Sequence, residues 1–137
     1  MRITHIVIPC IYARNAYFRQ VEKKPITPAI PYALLVGRVL GVVRESRGIT
    51  QGEVASKMGL TQSAYSRLER GESVLNVEQL RIVAGTVKLT VPEILKQVEE
   101  YEAKLKQRKV KLVSKGDSTP AEVSQGALVL TSLIEKW

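Results

Sequence analysis

The stretch that decides the fold is Thr50–Gly71, TQGEVASKMGLTQSAYSRLERG. Thr50 stands as an N-cap with Glu53 three residues on, the capping box that opens a helix. Val54, Ala55 and Met58 fall on its inward face and Gly59 stops it. Thr61 caps a second short helix, Gln62 to Arg70, which ends at Gly71. Only Gly59-Leu60-Thr61 separates the two, and a turn that tight requires the positive φ that glycine tolerates. Ala55 must be small, because the second helix crosses closely over the first there. Val54, Met58, Leu60, Tyr65 and Leu68 are the apolar positions that lock the pair at a steep angle. Every slot holds a suitable residue.

Working outward, the period stays helical on both sides. Leu35, Val39, Val42 and Val43 lie at i, i+4, i+7 and i+8, one helical face, closed by Arg47-Gly48. Downstream, Asn76 caps a helix with Gln79 at the box position and Leu80, Val83, Ala84 and Val87 turned inward. Thr90-Val91-Pro92-Glu93 then opens a fifth by cap, first-turn proline and acid. Five short helices over 32–100 predict a compact all-α domain. It is flanked by an N-terminal arm, 1–31, and a helical extension, 101–137.

The N-terminal arm is less informative. Pro25, Pro28 and Pro31 read as an extended linker, and Ile3–Ile8 as a short strand or a disordered arm. Met1–Ile11 faintly suggests a signal peptide, but its apolar run is short and broken by His5 and Pro9. One cysteine, Cys10, and one histidine, His5, exclude a disulfide framework and a zinc finger. They offer no catalytic pair either, so no enzyme, metal or cofactor is expected, and a reducing cytoplasm (in association with the nucleoid) is the expected compartment. No apolar run approaches a membrane span.

The formal net charge of +8 invites a polyanionic partner. Its distribution tempers that, because residues 32–100 hold 9 Lys/Arg against 8 Asp/Glu. Residues 1–31 hold 5 against 1 and residues 101–137 hold 7 against 4, so most of the excess lies in the flanks.

Gly48-Ile49-Thr50-Gln51, Leu60 to Gly71 (LTQSAYSRLERG) and Val91-Pro92-Glu93-Ile94-Leu95 together resemble the Cro and phage-repressor type of helix-turn-helix domain, the xenobiotic-response-element (XRE) family. The resemblance runs from about Leu35 to Leu95. It implies a five-helix, lambda-repressor-like fold, binding of double-stranded DNA as a homodimer on a pseudo-palindromic operator, and transcriptional control, usually repression. The third helix of such domains enters the major groove with its N-terminal residues toward the base edges. That places Thr61, Gln62, Ser63 and Arg67 at the bases. Gln62 has the amide for a bidentate contact with adenine, and Arg67 the guanidinium for guanine. Gln51, Ser66 and Arg70 become contacts to the DNA backbone, with Gln51 also able to brace Gln62. Arg44 and Glu69 match positions that form a partly buried ion pair between the first and third helices, and the Tyr65 ring is read as packing. One departure is the loop after the third helix, Glu72-Ser73-Val74-Leu75-Asn76, which carries an acid and no cation where the family often has basic residues. Modest affinity with strong salt dependence follows, unless the basic flanks contribute.

Beyond Pro92, Ile94, Val98, Tyr101, Leu105 and Leu112 keep a heptad-like spacing. A coiled coil and an amphipathic helix covering its own domain are both open. Lys115–Ser118 is a turn, and Thr119-Pro120-Ala121-Glu122 opens a last helix. Its apolar positions, Val123, Ala127, Leu128, Val129, Leu130, Leu133, Ile134 and Trp137, are more than a solvent-exposed helix needs; a strand over Ala127–Leu130 is the lesser alternative. A second copy is the simplest cover for that face. The alternative function is that of an antitoxin or anti-regulator, whose main partner is another protein bound through the C-terminal helices.

Overall fold

The computed structural model describes residues 25–136. In chain order these form β1 (Ala29–Pro31), α1 (Tyr32–Ser46), α2 (Gln51–Met58), α3 (Gln62–Glu69), α4 (Val77–Thr86), α5 (Val91–Gln107), β2 (Lys111–Val113) and α6 (Pro120–Ile134). The expectations for Ile3–Ile8, His5 and Cys10 lie outside the described residues, as does Trp137.

Local chemistry sets the helix starts. Thr50, Asn76, Thr90 and Thr119 each accept a bond from the backbone N–H three residues on, and Glu53, Gln79, Glu93 and Glu122 return the bond reciprocally. Bonds from the threonine N–H and hydroxyl hold the Glu53, Glu93 and Glu122 carboxyls below the usual carboxylate range. The exception is α1, which has no side-chain cap and is entered directly from Pro31.

The core forms where α1 meets the other helices. Leu35, Val39, Leu40 and Val43 of α1 pack with Val54, Tyr65, Leu68, Val83, Val87, Ile94 and Val98. This is the five-helix domain expected, and the mostly helical class holds.

Three features differ from the sequence reading. The proline-rich linker ends in a strand: β1 pairs in parallel with β2, with Ala29 opposite Lys111, Ile30 opposite Leu112 and Pro31 opposite Val113. A two-stranded sheet leaves one side of each strand unpaired, which is where proline is tolerated. Second, the heptad-like seam does not continue to Leu112. Ile94, Val98, Tyr101 and Leu105 are buried within their own domain, and α5 stops at Gln107. Lys109 takes a left-handed conformation (φ 58°), and the Val110 N–H bonds back to the Leu105 carbonyl at 3.0 Å. Val110 is thereby buried and the chain redirected into β2, so Leu112 owes its cover to strand pairing. The amphipathic-helix reading of this segment replaces the coiled coil.

Third, although the last helix forms as read and runs through Ala127–Leu130 in place of the alternative strand, much of its apolar face is taken up internally. Leu130 and Leu133 are buried, and α6 lies chiefly against β1. Gly126 makes the approach possible, since a Cβ there would sit 2.5 Å from the Ala29 carbonyl oxygen and from Ile30 Cγ2. Leu128 points away and stays 72% exposed.

Gly126 and Gly85 make a paired test, because both are helical and only one is crowded. Gly85→Ala meets nothing within 4 Å and gains helix propensity, so it stabilises by up to about 1 kcal/mol. Gly126→Ala pushes α6 off β1 and destabilises by about 1–3 kcal/mol despite the same propensity gain. Urea titration should show midpoints moving in opposite directions; movement in the same direction would remove the close α6–β1 packing.

Candidate nucleic-acid interface

α2 and α3 are joined by the short turn expected. Gly59 sits in the left-handed region (φ 66°, ψ 26°), and the Leu60 N–H bonds to the Ala55 carbonyl at 2.9 Å. Thr61 Oγ1 then accepts from the Ala64 N–H at 3.1 Å and starts α3. The eight-residue helix is sharply divided. Tyr65, Leu68 and Glu69 are buried, whereas Thr61, Gln62, Ser63 and Arg67 are exposed, followed by exposed Arg70 just past its end.

The buried side carries a polar network at its centre. Glu69 Oε1 accepts from Arg44 Nε at 2.7 Å, and Oε2 accepts from Arg44 Nη2 at 3.2 Å. Arg44 Nη1 donates to the Ile49 carbonyl at 2.7 Å, in the segment leading into α2. The bond to Glu69 raises the Arg44 pKa further, so the guanidinium stays charged in the folded protein. Tyr65 lies beside both charges; burial, and then the Glu69 carboxylate, push its phenol well above the ordinary range. Tyr65 is therefore a neutral part of the support.

Gln51 is placed on this network. Its Nε2 donates to Glu69 Oε2 at 2.8 Å, so the amide ties α2 to α3 from within. Gln62 leans over the start of α2, where its Oε1 is 4.0 Å from the position a Cβ on Gly52 would take. The three residues expected at the DNA backbone, Gln51, Ser66 and Arg70, line one polar hollow of about 320 Å³. Arg38, exposed on α1, lines it too. Sequence reasoning missed Arg38, which looks like any charge on the solvent side of an amphipathic helix.

At the far end of α3 the acid noted in the following loop acquires a role. Glu72 pairs with Arg70 at 2.9 Å and with Arg67 at 3.5 Å, all three well exposed. Lys115, from the turn after β2, donates its ammonium to the Glu72 carbonyl. A cation thus reaches this loop from 43 residues away in sequence, and no local signal could have announced it.

Two helices at a tight turn, the second with one face locked in the core and the other polar and free, define a helix-turn-helix DNA-binding unit. Residues 40–94 match the helix-turn-helix family. That segment is a domain of the Cro/phage-repressor, or XRE, type, a class of DNA-binding transcription regulators. No curated protein matches the sequence. Among solved structures, the chain is similar to the clp gene regulator ClgR from Corynebacterium glutamicum, at 23% identity and a TM-score of 0.54 over 56% of this chain and 82% of that one. A second structure of ClgR aligns at 25% identity and a TM-score of 0.48, covering 50% of this chain and 90% of that one. The likeness is one of fold. Among the described residues, no helix is long and apolar enough to cross a membrane.

Removing one member of the Arg44–Glu69 pair should cost about 3–5 kcal/mol, because the other charge stays desolvated. The double change Arg44→Met with Glu69→Leu should cost much less than the two single changes together. Denaturant unfolding of all three variants checks this; additive losses would mean that the two charges are not coupled.

Proposed function

We propose that this protein is a sequence-specific regulator, acting as a repressor, that binds a pseudo-palindromic operator as a homodimer. The observation that supports it most is the division of α3. Its buried face fixes the helix against α1 and α2, leaving Thr61, Gln62, Ser63 and Arg67 with no part in the core. Thr61, Gln62 and Ser63 stand at its N-terminal end, the end such helices bring to the base edges.

In this reading Gln62 contacts adenine through its amide and Arg67 contacts guanine through its guanidinium, while Thr61 and Ser63 use their hydroxyls on bases or adjacent phosphates. Gln51, Ser66 and Arg70 set the register on the backbone from around the polar hollow. Gln51 acts through its place at the start of α2 and its hold on Glu69. Such a helix reads only a few base pairs, so a two-fold pair on half-sites one helical turn apart supplies the remaining specificity. The second copy docks on α6, where Leu128 remains 72% exposed after the helix has packed on its own domain.

Selection of binding sites from random DNA should return a palindrome. On the selected operator, Gln62→Ala and Arg67→Ala should each cost about 1–3 kcal/mol of discrimination, with unchanged thermal unfolding. Unchanged specificity in both variants, read by gel shift, would overturn the assignment of α3 as the reader.

Leu128→Glu should turn a dimer into a folded monomer with weakened operator binding, seen by sedimentation. A dimer that persists in this variant rules out α6 as the interface.

A further inference from the structure

Arg67, Arg70 and Lys115 converge on one residue of the loop that follows α3. Arg70 and Arg67 bind the Glu72 carboxylate at 2.9 and 3.5 Å, and Lys115 binds the carbonyl of the same residue. The two arginines belong to the helix-turn-helix, whereas Lys115 belongs to the C-terminal strand and turn. We propose that Lys115 is a DNA-backbone contact, a cation that the C-terminal extension supplies to the reading helix, and that Glu72 holds the place of the phosphate when DNA is absent. This rests on the DNA-binding reading of α3.

Three observations carry it. Residues 72–76 contain an acid and no cation, so any cation at this loop has to come from another element. An ammonium has three donors, and the carbonyl uses one, leaving two for phosphate oxygens. The anchor is a main-chain atom and the turn is fixed by the β1–β2 pairing, so part of the ordering cost of a flexible lysine is met before DNA arrives. Meanwhile Glu72 neutralises Arg67 and Arg70 in a solvent-exposed cluster whose pairs are weak enough to exchange for a stronger anion. A phosphate seated between Arg70 and Lys115 displaces the carboxylate and frees Arg67 for a base edge.

The test uses the full chain and a short mixed-sequence DNA duplex, with affinity measured over a range of salt. Lys115→Met should weaken binding by up to about eightfold at 0.1 M salt and reduce the slope of log affinity against log salt by about 0.9, the signature of one lost phosphate contact. Lys115→Arg should restore both. Glu72→Gln keeps the carbonyl that anchors Lys115 and removes the competing charge, so it should bind more tightly than the parent. A Lys115→Met protein with parental affinity and slope, or one that changes only in thermal stability, overturns the inference and leaves the reading of α3 intact. A parent protein that binds no duplex even at low salt overturns both.

Discussion

At the end of α3 a carboxylate is taken out of water and must be met there. Glu69 receives two bonds from Arg44 of α1 and one from Gln51 of α2, so three helices are joined at a single side chain. Coulombic attraction alone does not make such a site favourable, since desolvating two charges offsets most of it. What the site enforces is geometry. Successive residues on an α-helix are rotated by about 100° from one another, so a register slip of one residue would swing Glu69 away from Arg44 and strand both charges. The same slip would turn Gln62 and Arg67 away from the free face. The setting of the exposed face of α3 is thus fixed by the penalty for leaving the pair incomplete.

The helix boundaries were legible because their causes are local. A capping threonine and a glutamate three residues on lie within one turn, and that logic placed the starts of α2, α5 and α6, with Asn76 and Gln79 doing the same for α4. Within α3 the apolar slots Tyr65 and Leu68 were legible from the residues themselves, whereas the outward-facing Thr61, Gln62, Ser63 and Arg67 were placed by family resemblance. Arg44 and Glu69, 25 residues apart, came from family resemblance, since neither neighbourhood marks its charge as buried.

What stayed hidden depends on distant partners. β1 and β2 are three residues each, too short for any period to appear, and each is a strand only because the other is beside it. Leu112 extended the spacing of α5 by coincidence: its spacing fits a helix, but Lys109, a non-glycine residue, has already taken the left-handed conformation that ends α5. Gly126 carries no signal of its own in the sequence; its meaning lies in the backbone of Ala29 across the interface.

The same distinction changes how the charge of the molecule is understood. Counted along the chain, residues 32–100 are nearly neutral and the positive excess sits in the flanks, as though the DNA-binding unit lacked the field it needs. Counted in space, that division fails. β2 is held on β1, β1 runs straight into α1, and the turn beyond β2 therefore lies against the loop that leaves α3. Lys115 belongs to the flank by number and to the helix-turn-helix by position. A segmental count assumes that charge stays near its place in the sequence, and a parallel pairing between the two ends of a domain is the arrangement that breaks the assumption most directly. The extension is accordingly part of the same folded unit: it covers Ile30 and α5 on one side and brings a cation to the end of α3 on the other.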